Sequence, residues 1–220
     1  MKKVLLAMIL SALVLTLTQL AAAQTGTKSS DAEFLEAVQK SDAATVQQLV
    51  QKGANIEAKG EGGFTALIAA SAMGKTDMVK LLLDKGAKTD IKDSRGDTAL
   101  HYAVMTTNID IAKLLLDKGA NVQAQENDGL SPLMLSVVSG SLDLMKLLLE
   151  KGANTEAKDK NGYTALMAAS GGGLTDMVKL LLEKGANIEA KSNDGTTALK
   201  LATNNGKTEV VKLLQEKGAK

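Results

Sequence analysis

The tripeptide Thr-Ala-Leu begins at Thr65, Thr98, Thr164 and Thr197, and Ser131-Pro132-Leu133 fills the missing beat, so that every step is 33 residues. The pair Gly-Ala begins at Gly53, Gly86, Gly119, Gly152, Gly185 and Gly218 with the same period. A third column, Gly63, Gly96, Gly129, Gly162 and Gly195, stands two residues before each Thr or Ser. No insertion breaks the register. A fixed period of this length means one small unit copied in series, each copy burying its apolar side only against its neighbours.

Each unit reads as two short helices. The Thr or Ser heading each first helix is an N-cap, because its hydroxyl accepts from an unsatisfied N–H of the first turn. Small residues follow, as at Ala66, Ala69 and Ala70, making this helix slim. A Gly or polar turn comes next, at Gly74, Thr107, Gly140, Gly173 and Gly206. The second helix carries an acid in its first turn (Asp77, Asp110, Asp143, Asp176, Glu209), where the helix dipole favours negative charge. Its apolar stripe is dense, as in Met78, Val79, Leu81, Leu82 and Leu83, and a Gly able to take positive φ stops it. The loop that follows, such as "NIEAKSNDG" from Asn187, alternates apolar and polar residues and ends in turn formers, so it predicts a short β-like finger.

The 33-residue period, Thr98-Ala99-Leu100-His101, the "DIAKLLLDKGA" second helix and the Gly before each Thr together resemble the ankyrin repeat family, over about residues 30–220. The resemblance implies an all-α ankyrin-repeat solenoid of stacked helix pairs with β-hairpin-like loop fingers. It implies L-shaped units and a concave groove, lined by fingers and first helices, where a partner binds. Two departures stand out. The family's Pro at the second motif position occurs only as Pro132, and its His only as His101; Ile68, Met134, Met167 and Lys200 replace the His, which predicts a weaker hydrogen-bond network in those units.

The ends differ from the middle. Ala32-Glu33-Phe34 replaces the Thr-Ala-Leu beat, and Gln47, Gln48 and Gln51 make the following helix more polar, as suits an N-terminal cap over 31–59. Gln215 replaces the third Leu of the last second helix, as suits a C-terminal capping repeat over 192–220. Between them lie repeats 60–92, 93–125, 126–158 and 159–191.

Ahead of the array, "MKKVLLAMILSALVLTLTQLAAAQ" has the zones of an export signal: Lys2 and Lys3, an apolar stretch, then Ala21-Ala22-Ala23 before Gln24. The expectation is a cleaved signal peptide over 1–23, a polar lead-in over 24–30, and a periplasmic or secreted product with no stable membrane insertion after cleavage. The alternative is an uncleaved anchor, since Val4–Leu20 sits at the lower length limit for a bilayer span. The small residues and the missing positive flank favour cleavage.

Composition narrows the function. Hydrophobic residues make up 45% of the chain but aromatics only 2%, so the interior must be filled by Leu, Ala, Val, Ile and Met in thin layers. Without Lys2 and Lys3, 24 of the 26 basic residues face 25 acidic ones. No like-charge block reaches five residues, and Arg95 is the one Arg, which excludes a phosphate-gripping surface and with it nucleic acid. The absence of Cys removes disulfides, thiolate metal sites and thiol nucleophiles.

No catalytic grouping emerges. His101 is the single His and belongs to the family motif, where the resemblance implies a structural hydrogen bond. Asp84, Asp117, Glu150, Glu183 and Glu216 recur as a column, the sign of a solvated helix face. Gly171-Gly172-Gly173 lacks the Lys-Ser/Thr of a phosphate loop and reads as a loose turn. Met78 and Met177 share one core column, and Met134 and Met167 another, so core filling accounts for them better than thioether binding of copper. No cofactor and no metal is expected, and no enzyme.

Columns that vary between repeats are free for recognition. Before each Thr or Ser stand Phe64, Asp97, Leu130, Tyr163 and Thr196; near the end of the first helices stand Met73, Met105 and Val138. The apolar members define an expected partner strip, flanked by Arg95, Asn193 and Asp194, though the same side chains can instead stiffen neighbouring fingers. A further column, Lys59, Lys92, Lys158 and Lys191, is interleaved with Glu57, Asp90, Glu156 and Glu189 and so is mixed in sign. The reading is a monomeric, exported, non-catalytic scaffold that binds a protein partner. Alternatives are a regulator or stabiliser of an exported enzyme, an effector acting on host proteins, a Met-based copper binder, or a hydrolase.

Overall fold

In the computed structural model, described over residues 30–220, twelve α-helices follow one another and no strand occurs among the described residues. They are α1 (Ser30–Gln39), α2 (Ala43–Gln51), α3 (Ala66–Ala72), α4 (Thr76–Asp84), α5 (Ala99–Met105), α6 (Ile109–Asp117), α7 (Pro132–Ser139), α8 (Leu142–Glu150), α9 (Ala165–Gly172), α10 (Thr175–Glu183), α11 (Ala198–Asn204) and α12 (Thr208–Glu216). The segments read as export signal and most of the lead-in lie outside the described residues; α1 begins at Ser30.

The helices form where the sequence pattern placed them, and for the expected reasons. Thr65, Ser131, Thr164 and Thr197 accept through their hydroxyls from the N–H three residues on, at 3.3–3.4 Å. At α5 a capping box replaces the simple cap: the Thr98 N–H donates to His101 Nδ1 at 3.1 Å, and the Thr98 hydroxyl lies 2.9 Å from the same nitrogen. His101 is fully buried, so its ring is a structural post. Where the His is replaced, Ile68, Met134 and Met167 are buried apolar filling, and Lys200 is exposed. Those helices keep the hydroxyl cap without the reciprocal bond.

The second helices end in a Schellman pattern. After α2, for example, Ala54 N–H donates to Leu49 O at 2.9 Å and Gly53 N–H to Val50 O at 3.0 Å, with Gly53 at φ +88°. The turn between helices is also left-handed: Gly74, Gly140, Gly173 and Gly206 take positive φ, and Thr107 does so too, at φ 56°. A β-branched residue is strained there by roughly 1–2 kcal/mol. Gly removes that strain but makes the unfolded chain freer by about 0.5–1 kcal/mol. Thr107→Gly is therefore expected to stabilise the protein by about 0.5–1 kcal/mol in urea unfolding; no gain would mean that the turn tolerates Thr.

The chain divides into two units, with the boundary between Ala120 and Asn121. In the first, α3 packs between α1 and α5, and α4 against α6. In the second, α9 packs between α7 and α11, and α10 between α8 and α12. Each unit has its own layered core: Leu67, Leu82, Leu100, Ile111 and Leu115 in one, Leu133, Leu144, Met145, Leu148, Leu166 and Leu181 in the other, all at most 1% exposed. Burial of each such side chain contributes about 1.5–3 kcal/mol. Phe34, which stands where the other units have the Leu of Thr-Ala-Leu, is fully buried on α1, so that a ring fills the volume. Gln47, Gln48, Gln51 and Gln215 are exposed.

The loop fingers take the hairpin form in its smallest version. Each is a five-residue turn closed by two backbone bonds, such as Asp93 N–H to Asp97 O at 3.0 Å with Gly96 N–H to Asp93 O at 3.1 Å, and Asp159 N–H to Tyr163 O at 3.0 Å with Gly162 N–H to Asp159 O at 2.9 Å. A single antiparallel bridge, Lys59 to Thr65, is all the β-pairing among the described residues. The finger backbone is satisfied instead by bonds to the next finger and by side chains.

Candidate functional site: the loop fingers and the first helices

Successive fingers within a unit are joined by rungs about one repeat apart. Ser94 N–H donates to Gly62 O, Lys160 N–H to Asp128 O, and Asn193 N–H to Asn161 O, each at 2.9 Å. The Lys column supplies a second set: Lys59 Nζ donates to Lys92 O at 3.0 Å and Lys158 Nζ to Lys191 O at 2.8 Å. At the same register Gln125 Nε2 donates to Lys158 O at 2.9 Å. The acids two residues earlier make a third. Glu57 accepts from Lys88 N–H at 2.8 Å, Glu156 from Asn187 N–H at 2.9 Å, and Glu189 from Lys220 N–H at 2.9 Å. In the sequence these columns form a row of mixed sign. In the fold, these side chains hold the backbone of one repeat to the next.

Inside each finger an acceptor side chain gathers the N–H groups of the turn. Asp159 Oδ1 accepts from Asn161 and Tyr163 at 2.9 and 2.8 Å. Glu126 accepts from Asp128 and Leu130 at 2.9 and 2.8 Å. Ser192 Oγ accepts from Thr196 N–H at 3.0 Å. Leu130 and Tyr163 are thus held half-buried on rigid turns.

The most elaborate finger is in the first unit. Asp93 is 7% exposed; its Oδ1 accepts from Arg95 and Asp97 N–H, both at 2.9 Å, and its Oδ2 from the Tyr102 hydroxyl at 2.8 Å. Tyr102, on α5, is fully buried. Burial first, and the Asp93 carboxylate second, push its phenol well above the usual range, so it remains a donor to Asp93. Arg95 Nη2 donates to the Tyr102 oxygen at 2.5 Å and lies 3.4 Å from Asp97 Oδ2. The Phe64 and Tyr102 rings are 5.2 Å apart and tilted by 56°. Half of the Arg95 side chain stays in solvent, whereas Asp97 is buried.

The fold thus brings Phe64, Arg95 and Asp97 together around Tyr102. Tyr102 and Asp93 were not singled out from the sequence. The usable signal was the column Asp93, Glu126, Asp159, Ser192, polar in four of the five repeats (Gly60 holds the place in the first) and four residues ahead of Asp97, Leu130, Tyr163 and Thr196. Met73 and Met105 lie elsewhere. Met73 is the C-cap of α3, with the seven residues of that helix, about 10 Å, between it and Phe64. Met105 is the last residue of α5, one position before its C-cap Thr106. Both are half-buried, and Val138, near the end of α7, is 60% exposed. Within each unit, finger residues and helix-end residues lie at opposite ends of the first helices.

Asn193 and Asp194 are engaged within the array. Asn193 Nδ2 donates to Lys160 O at 2.9 Å, and Asp194 Oδ1 accepts from the Ser192 hydroxyl at 2.5 Å and from Thr196 N–H at 3.1 Å. These bonds, the Ser192 hydroxyl foremost, hold the Asp194 carboxyl below its usual range. Five of the seven Met outside the first 29 residues (Met78, Met134, Met145, Met167 and Met177) are buried in the cores. Among the described residues, no group of three or more His, Asp or Glu is placed to hold a metal ion.

The family pattern for ankyrin repeats, in sets of three copies, matches residues 34–126, 91–159 and 133–220. The chain belongs to the ankyrin repeat family. No curated protein matches it. Ankyrin repeats are protein–protein interaction modules and typically act without catalysis, so a protein partner is the class of ligand this fold serves. Among the described residues no helix of this ankyrin array is long and apolar enough to cross a membrane.

Proposed function

We propose that this ankyrin protein is a non-catalytic binding module, exported to the periplasm or beyond, that recognises one protein partner through its fingers and first helices. The observation that carries this reading is the Phe64–Tyr102–Arg95 arrangement. Its fully buried Tyr positions a solvent-facing Arg beside a half-buried Phe. Aromatic and Arg side chains dominate binding energy at protein interfaces. Holding them in place beforehand lowers the entropy lost on association. Leu130 and Tyr163 occupy the corresponding finger positions of the second unit, and Val138 adds an exposed apolar side chain on α7.

The support for export is the Lys2-Lys3 start, the apolar stretch and Ala21-Ala22-Ala23. N-terminal sequencing of the protein recovered from cells should read from Gln24; an intact Met1 on the protein would refute cleavage.

A tagged protein cross-linked in its native compartment, followed by mass spectrometry, identifies the partner. A variant carrying Phe64→Ser, Leu130→Ser and Tyr163→Ser should then lose capture while its far-UV circular dichroism stays the same. Arg95→Ala alone should weaken affinity by about ten-fold or more, the loss of one interface anchor. Undiminished capture by both variants would place the partner on another face.

A further inference from the structure

Two Asn-Gly pairs occur in the chain, Asn161-Gly162 and Asn205-Gly206, and the fold treats them differently. The chemistry common to both is spontaneous deamidation. The Gly amide nitrogen gives up its proton to base and attacks the Asn Cγ. A C–N bond forms, the Cγ–Nδ2 bond breaks, and ammonia leaves with the proton. Water then opens the cyclic imide, at one carbonyl to Asp and at the other to isoaspartate, whose backbone is one carbon longer. No oxidant, reductant or cofactor takes part. The ring closes only when the Gly N–H is released and the Asn side chain swings toward it, so the local opening equilibrium controls the rate.

Asn161-Gly162 is locked from several sides. Gly162 is buried and its N–H donates to Asp159 O at 2.9 Å. Asn161 N–H donates to Asp159 Oδ1 and Asn161 O accepts from Asn193 N–H, both at 2.9 Å. Opening this turn would pull neighbouring fingers away from each other. Asn205-Gly206 follows the last turn of α11, which has seven residues. Both residues are exposed, and no atom lies within 4 Å of where a Gly206 Cβ would be. The Gly206 N–H is held by one bond, to Thr203 O at 3.0 Å, within a helix end. Short helix ends fray.

We propose that Asn205 is a self-modification site of this protein, converting to Asp and isoaspartate in the native state while Asn161 is protected. The change has a structural consequence. Asn205 Nδ2 donates to Gly171 O at 3.0 Å, linking α11 to the end of α9. A carboxylate at 205 has no proton to donate and sets negative oxygen against the carbonyl, so the last helix pair loosens from the repeat before it.

The test uses the folded protein kept in mildly alkaline buffer at physiological temperature, with peptide mapping by mass spectrometry and enzymatic labelling of isoaspartate over time. Acid and isoaspartate at 205 should accumulate at least about ten-fold faster than at 161, the ratio that an exposed helix end gains over a buried turn through easier opening. In denaturant the two sites should convert at similar rates, because the fold is then gone. Asn205→Gln should abolish the labelled product, and Asn205→Asp should speed amide exchange across α11 and α12. Equal rates at 205 and 161 in the folded protein would overturn the proposal. So would an unconverted Asn205 over a period in which the denatured chain reacts fully.

Discussion

Replacing Asp93 by Ala is expected to cost about 3 kcal/mol or more of unfolding free energy, the largest loss from any finger carboxylate, because three donors are orphaned together. Two are the backbone N–H groups of Arg95 and Asp97, and the third is the hydroxyl of the fully buried Tyr102. Asp159 gathers only two N–H groups and no phenol, so Asp159→Ala should cost less. Tyr102→Phe keeps the ring against Phe64 and removes only the hydroxyl, leaving one Asp93 oxygen unpartnered by it; about 1–2 kcal/mol is expected. Urea unfolding of the three variants, read as midpoint shifts at constant slope, checks the order. An Asp93→Ala loss no greater than that of Asp159→Ala would show that Tyr102 is not anchored as described. The same variants bear on binding, because Arg95 takes its position from the Tyr102 hydroxyl.

Gly162→Ala is expected to be comparably severe, about 3 kcal/mol or more, while Gly185→Ala costs only about 1 kcal/mol. Both glycines have positive φ, at 80° and 84°, so both substitutions incur the left-handed penalty. The difference lies in space. A Cβ on Gly162 would sit 2.5 Å from Asn193 Oδ1 and 2.7 Å from Asn193 N, whereas nothing lies within 4 Å of the corresponding point on Gly185. Relief of the clash requires the next finger to move, breaking the Asn193 N–H bond to Asn161 O and the Asn193 Nδ2 bond to Lys160 O. Amide exchange should therefore accelerate at residues 193–196 in Gly162→Ala and stay native there in Gly185→Ala. Equal losses at the two sites would mean that the fingers are less closely stacked than these distances require.

Much of the fold was legible because repetition turns one chain into its own comparison. Thr65, Ser131, Thr164 and Thr197 declared the helix starts, and Gly53, Gly86 and Gly185 the stops, since caps and left-handed glycines act within a few residues of sequence. The role of polar finger residues was harder to see. Asn193 and Asp194 read as candidates for partner recognition, yet both are tied into turns and rungs. Lys59 and Lys158 read as members of a mixed surface row, and both donate to carbonyls 33 residues away. A column of like residues shows that a position matters to every repeat. It does not show whether the side chain points to solvent or back to the neighbouring repeat. The structure supplied the cluster at Phe64, Asp93, Arg95 and Tyr102 for a similar reason. Tyr102 shares its column with Ala69, Leu135, Ala168 and Leu201, so no periodic signal marked it as a hydrogen-bonding residue.

The sequence by itself determined the period, the two-helix unit, the family and the order of caps, because local backbone preferences and the matching of apolar stripes act at short range and repeat identically. Only the tertiary structure decided which finger residues are anchored and which are offered to solvent. That choice rests on rungs 31–33 residues apart and on the side chains that each turn meets once the helices have packed, as Arg95 meets Tyr102, and there a shift of an ångström separates a hydrogen bond from an exposed side chain.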